Sequence, residues 1–433
     1  MNTHRWKGLA VALILLAGAP CASGQSAVAE SQTHIQTAIR AWQEEDFATA
    51  AKELEAARAL NPASLFTLYS LARCYAKLER NADALSLLEG LAAQGIDMGV
   101  AEQADFEPLI DDARFQAMLA TLAETTSLQD ASEAHFEFPL HGVIPEGIAA
   151  DPDSGRLFFG SMRNGDVYAL DAELRVSRFG SIDAPGFSAI GLTVDRERNV
   201  LWVAGAAFRM AEGFDPQASV GSGLFGIDLT SGERVREARW LGADSNFNDV
   251  TVAPDGTVYA SGSGLYKLVT EPDRIEPVAL DTDIVGGNGL VVHPDGKTLF
   301  LSSYPVGLFS IDLEQGSAQL MTGPDDLSLY GVDGLYWHND GLVAIQNGAR
   351  PWRMLQLKLD RSRRRVTAAG VFERGSPATT PMTGAIVGDT IYYVGEGEQP
   401  ASLPSQLPEF LEGNVGTVVI RRTSIDQEAM RDR

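Results

Sequence analysis

Cysteine is almost missing. The 433 residues contain two, Cys21 and Cys74, and Cys21 lies in or beside a segment expected to be removed. One remaining thiol makes no internal disulfide and no thiolate metal site. The core alone must hold the fold, and Cys74, within a helical run, reads as a small buried apolar residue. Positive charge is also scarce, with 34 Lys and Arg against 58 Asp and Glu and a net charge of −24. A surface this acidic repels phosphate backbones, which excludes nucleic acid as a partner. Six histidines are scattered without a zinc spacing. With 45% hydrophobic and 21% charged residues, the balance is that of a globular protein, not of a disordered chain or a multi-span membrane protein.

The N-terminus reads as a leader. Arg5 and Lys7 precede an apolar run at 8–19 that is too short to span a bilayer, and Ala22-Ser23-Gly24 fits a signal-peptidase site. Residues 1–24 are therefore expected to be removed, leaving 32 basic residues against 58 acids, or −26. An uncleaved anchor fits a run this short less well. Lipidation at Cys21 fits less well again, because Pro20 stands where a small residue is wanted. The expected location is the periplasm or the outside, with no membrane span after removal of the leader.

Two patterns divide the rest. From 30 to 125 the apolar spacing is helical and β-branched residues are few. Pro62 should stop one helix and Leu65 start another. Ala50, Leu54 and Ala57, then Leu71, Tyr75, Ala84 and Leu88, have the alternation of packed helix hairpins. This resembles tetratricopeptide repeats, about two copies with a capping piece at 106–122. Such stacks often dock a protein partner, although a plain helical appendage has the same pattern.

From 134 to 422 short strands and turns repeat, helped by 43 glycines. The second strands of six units centre on Phe158, Trp202, Tyr259, Phe300, Val343 and Tyr392, at offsets of 44, 57, 41, 43 and 49 residues. Four-stranded units at this period mean a six-bladed β-propeller, so the fold class is all-β with a small all-α domain in front. Residues 423–433 remain as a tail.

In a propeller the first strand of each blade lines the central channel. The residues just before those strands should form one ring at its mouth: Glu146, Ile190, Asn248, Asn288, Asp333 and Thr383. Two carboxylates and two amides meeting without Lys or Arg are costly if nothing compensates them. A divalent cation would, and the all-oxygen set favours Ca²⁺, with Mg²⁺, Mn²⁺ or Zn²⁺ as alternatives. Asn288-Gly289 and Asp333-Gly334 could each be turns. Turn chemistry explains neither Glu146 nor the common register.

Pro145-Glu146-Gly147, Asn248-Asp249, Asn288-Gly289-Leu290 with His293-Pro294-Asp295-Gly296, and Val332-Asp333-Gly334 resemble the senescence marker protein, gluconolactonase and regucalcin family. The resemblance covers about 134–421. It implies a six-bladed propeller with one divalent metal held by Glu146, Asn288 and Asp333, and Asn248 near substrate or water. It also implies Asp333 as general base. The family often has Asn-Asp-Gly where this chain has Asn248-Asp249-Val250. Phe225–Glu233 and Phe247-Asn248-Asp249-Val250 are also similar to royal-jelly-type propellers, many of which are not known as enzymes.

The implied reaction is metal-assisted hydrolysis of a lactone or related ester. The alternative is a non-catalytic propeller serving as a ligand-binding or protein-interaction scaffold through the helices. Loops between second and third strands share the face of the ring. They bring Arg163, Arg209, Tyr304, Asn347 and Arg350 forward as substrate contacts, with a further long loop at 395–415. Gly221-Ser222-Gly223-Leu224-Phe225-Gly226 leads into a strand and reads as a turn, not a dinucleotide site. His293 and His338 occupy blade turns away from the channel, His141 lies close to Glu146, and the Arg361–Arg365 run reads as a solvated hairpin turn.

Overall fold

The computed structural model describes residues 27–139, 142–217, 220–242, 246–375, 380–396 and 417–425. The leader at 1–24, His141 and nearly all of the 395–415 loop lie outside them.

Five α-helices come first: α1 (Ala27–Gln43), α2 (Phe47–Leu60), α3 (Leu65–Lys77), α4 (Asn81–Ala93) and α5 (Ala113–Thr125). Asp46 and Ser64 cap α2 and α3 by accepting from Thr49 N and Thr67 N. The stop at Pro62 and restart at Leu65 fall where the sequence places them. Helices α2 and α4 begin 34 residues apart, the spacing of two stacked hairpins. Their shared core holds Leu54, Leu71, Leu85, Phe106 and Phe115. Cys74 is fully buried there, and burial pushes its thiol up to about 12. Among the described residues no helix is long and apolar enough to cross a membrane.

Six four-stranded antiparallel sheets follow. Their inner strands are Pro145–Asp151, Phe187–Asp195, Val250–Val252, Gly287–Val292, Val332–His338 and Gly384–Val387, which open blades 1 to 6. In blade 6 the outermost strand is Glu133–Pro139, paired with Thr417–Ser424. The two ends of the propeller sequence thus join in one sheet, whose outer edge is the Glu133–Pro139 strand. The last strand runs two residues past 422, because Thr423 pairs with Ile391 and Ser424 with Thr390.

The core sits between blades. Phe158, Val167, Phe187 and Phe225 fill the seam of blades 1 and 2. Trp202, Phe247 and Tyr266 fill the next, and Phe300, Leu335 and Leu355 lie between blades 4 and 5. Full burial of each large side chain contributes about 1.5–3 kcal/mol. The arginine run is not wholly solvated: Arg363 pairs with Asp295, whose carboxyl lies below its ordinary range. His293 packs edge-on against Trp337 and His338 meets Asp389 at 3.0 Å, as expected of structural turn residues.

The helices rest on the mouth end of the propeller, over blades 4 and 5. Ala349 and Tyr330 of blade 5 join the helical core. Val28, at the start of α1, joins the cluster of Ile284 and Val306.

Candidate functional site

Four inner strands carry the same irregularity. In blade 1, Pro145 pairs with Ser161 and Ile148 with Phe159, so Glu146 and Gly147 face Gly160 alone. Blade 2 does the same with Ile190 and Gly191, blade 4 with Asn288 and Gly289, and blade 5 with Asp333 and Gly334. These are β-bulges, which bend the strand and re-aim a side chain. The Asn-Gly and Asp-Gly pairs are therefore bulges within strands and not turns. In blade 3, Asn248 N donates to Ser261 O at 3.0 Å and Asp249 N to Ser261 Oγ at 3.1 Å.

Glycine in the bulge lets neighbouring inner strands meet. A Cβ on Gly147 would lie 1.9 Å from Ile190 O, and one on Gly289 would lie 2.2 Å from Asp333 O. At Gly191 it would lie 2.5 Å from Asp249 Cα. Thr383 Oγ1 donates to Glu146 O across the blade 6 to blade 1 step. Backbone contact thus places the ring residues around one channel mouth.

Glu146, Asn288 and Asp333 are 3%, 9% and 4% exposed. Burial first, then Asp333 and Asp249, drives the Glu146 carboxyl well above its usual range. Burial also raises the Asp333 carboxyl, opposed by hydrogen bonds from Asn347 and Asn288. Asn347 Nδ2 donates to Asp333 Oδ2 at 2.5 Å and to Pro381 O at 2.9 Å. Tyr304 OH donates to Asn347 Oδ1 at 3.0 Å.

Two residues of this site escape sequence reasoning. Asp249 is buried, and its carboxyl is pushed up to about 7, mainly by burial, with Asp333 adding and the Val250 N–H opposing. It occupies the register position that is Gly147, Gly191, Gly289, Gly334 and Gly384 in the other blades. That single departure from glycine was the available signal. The second is Tyr336, whose hydroxyl accepts from Gly384 N at 2.5 Å. Burial and the nearby Asp249, Asp333 and Glu146 hold its phenol neutral.

Three buried carboxyl groups therefore share one mouth, and no Lys or Arg figures among the groups that shift them. Glu146 Oε2, Asn248 Oδ1 and Asn288 Oδ1 are buried without a hydrogen-bond partner. Unpartnered acceptors with negative charge are the donor set a hard cation takes. Among the described residues no three His, Cys, Asp or Glu are grouped to hold a metal unaided.

The loop residues fare differently. Tyr304 reaches the ring through Asn347. Arg163 is engaged at its own loop, with Nη1 donating to Met210 O at 3.4 Å. Arg209 is exposed. Arg350 is exposed too, and its carbonyl accepts from Asp97 N of the helical module at 2.7 Å. Among the described residues, these three arginines bond within the rim loops or face solvent and do not reach the ring.

No protein-family model matches the chain, and no curated protein matches it. Among solved structures it is similar to a gluconolactonase from Xanthomonas campestris, at 15% identity over 70% of this chain and 92% of that one, with a TM-score of 0.46. It is similar to the calcium-binding protein regucalcin from Agrobacterium tumefaciens, at 15% identity over 67% and 93%, with a TM-score of 0.45. A luciferin-regenerating enzyme is 13% identical over 66% and 96%, with a TM-score of 0.44. At such identities the likeness is one of fold.

Proposed function

We propose that the protein is an exported, metal-dependent hydrolase acting on a lactone or related ester. The observation that carries this reading is the set of buried carboxyls and unpartnered amide oxygens at the channel mouth. Glu146, Asn288 and Asp333 would hold the ion, with Asn248 as a fourth oxygen and Ca²⁺ as the first choice. A bound divalent cation would supply Lewis-acid polarisation of the substrate carbonyl.

The chain's own groups do the rest. Asp333 accepts a proton from water. Asn347 holds Asp333 Oδ2 and so fixes the carboxylate plane. The Asn248 carboxamide orients the carbonyl or the water. Tyr336, neutral and anchored by Gly384 N, keeps charge out of the channel beside the three acids. Arg163 and Arg209 stand on rim loops of the same face, where they would meet the part of a substrate that extends beyond the ring.

Elemental analysis of the purified protein should find about one divalent ion per chain. A panel of lactones and aryl esters should then show turnover that a chelator abolishes and added Ca²⁺ restores. Asp333→Ala should lower that turnover by at least about 100-fold, the loss of a general base. A bound ion without turnover of any member would instead make the propeller a ligand-binding scaffold. Export rests on the leader sequence. Sequencing of the secreted protein should give an N-terminus near Gln25, and retention of Met1 in a cytoplasmic product would refute it.

A further inference from the structure

The short segment joining the second and third strands of blade 5 touches both the ring and the helices. At its start, Asn347 binds Asp333 Oδ2, Pro381 O and Tyr304 OH. Two residues on, Ala349 is 1% exposed inside the helical core. The next carbonyl, on Arg350, accepts from Asp97 N at 2.7 Å. Between them Gly348 N donates to Gly331 O at 2.9 Å, and a Cβ on Gly348 would lie 2.5 Å from Gly331 Cα. The segment therefore has no room to slide.

Its base is clamped as well. Gln346 and Arg353 are register partners. Arg353 Nε donates to Gln346 Oε1 at 2.6 Å, and Nη1 donates to Gln94 O, at the C-cap of α4, at 2.7 Å. A guanidinium suits the negative end of a helix. Gln346 Nε2 in turn donates to Ser328 O at 2.9 Å and Tyr330 O at 2.5 Å. The Tyr330 ring packs on the helical core and lies 6.4 Å from the Tyr304 ring. Two routes, through Ala349 and through Tyr330 and Tyr304, thus run from the helices to the same Asn347 amide.

We propose that Asn347 is a positioning residue for Asp333, and that the helical module is part of the site's construction because it grips the segment carrying Asn347. This rests on the reading of the ring as a cation site. The helices are then not a detachable docking arm: loosening their hold at Ala349 should reach Asp333 although nothing in the ring has changed.

The test uses the full chain. Ca²⁺ binding by calorimetry and Tb³⁺ luminescence are compared for the wild type, Asn347→Leu, Tyr304→Phe and Ala349→Gly. Hydrogen exchange is followed in peptides covering 331–338 and 341–352, with melting curves to confirm folding. Asn347→Leu should weaken Ca²⁺ binding about 10- to 100-fold, as loss of a group supporting a metal ligand does. Tyr304→Phe, which removes one neutral hydrogen bond, should cost about 5-fold. Ala349→Gly should weaken binding several-fold and speed exchange at 331–338. Should Ala349→Gly fail to fold, Ala349→Ser, which keeps the Cβ and adds one hydroxyl to the helical core, carries the same comparison. Wild-type binding with affinities in the folded variants within 2-fold of it overturns the proposal. No wild-type uptake of Ca²⁺ or Tb³⁺ overturns the cation reading instead. Exchange then decides the coupling: faster exchange at 331–338 in Asn347→Leu and Ala349→Gly upholds it, and unchanged exchange overturns it.

Discussion

Stripped of divalent cations, the protein should lose stability as pH rises from about 4 to about 7, the reverse of ordinary acid denaturation. The sign follows from the channel. Unfolded Asp and Glu release their protons near pH 4. In the folded state burial raises the Glu146, Asp249 and Asp333 carboxyls, Asp249 to about 7. Between those limits the folded chain binds more protons than the unfolded one. The stability these groups contribute is full below the unfolded pKa and is lost as pH climbs through the folded one. For Asp249 alone the loss is on the order of 4 kcal/mol by pH 7–8. Paired acids such as Asp105, Asp151 and Asp295 are shifted the other way, so their contribution changes below about pH 4. His135, lowered mainly by burial, opposes the trend near pH 6 as a single partly exposed group. Calorimetric melting with a chelator at pH 4.5, 6 and 7.5 should show a falling Tm. Ca²⁺ should restore it at pH 7.5 and do little at 4.5, where protonated carboxyls do not bind it. A chelated Tm that stays level or rises across this window would remove the electrostatic case for the site.

Much of this could be read from residue order. The blade period is written in apolar runs and turns, because each blade repeats one local unit and needs only local signals. The helix break at Pro62 was equally local. The ring was legible because strand openings recur in register, which brought Glu146, Asn288 and Asp333 forward without coordinates. Other features depend on contacts between distant segments. The Glu133–Pro139 strand looks like a prelude to blade 1 and completes blade 6, since its partner lies nearly 290 residues away. Asp249 is hidden because a strand opening is expected to offer one residue per blade to the ring, and in blade 3 the next residue is buried within reach of Asp333 as well. The seating of the helices on Ala349 and Tyr330 had no sequence sign: a small residue and a tyrosine in loops fit many surroundings. Loop position alone brings the arginines to the rim, and loop position does not fix where a long side chain ends.

Glu146→Gln separates stability from function at this mouth. The substitution keeps the side chain's shape and removes one of three buried acids. In the cation-free protein at pH 7.5 it relieves the cost of burying charge and the repulsion from Asp333 and Asp249. At pH 7.5 an unfolded glutamate has lost its proton, so holding Glu146 in the channel costs about 1.4 kcal/mol for each pH unit by which its pKa is raised, a cost the amide avoids. The Tm of the chelated variant should therefore exceed that of the chelated wild type by a few degrees. The same change removes a charged donor, so the stabilisation that saturating Ca²⁺ gives the wild type should largely vanish. That stabilisation is about 4 kcal/mol at 1,000 times the dissociation constant. The two curves should cross, with the variant more stable without the ion and the wild type more stable with it. A purely structural Glu146 predicts a variant less stable under both conditions, because a satisfied buried carboxylate would then have lost its partners. Melting both proteins with chelator and with excess Ca²⁺ distinguishes the two accounts whatever the substrate is, since no turnover is measured.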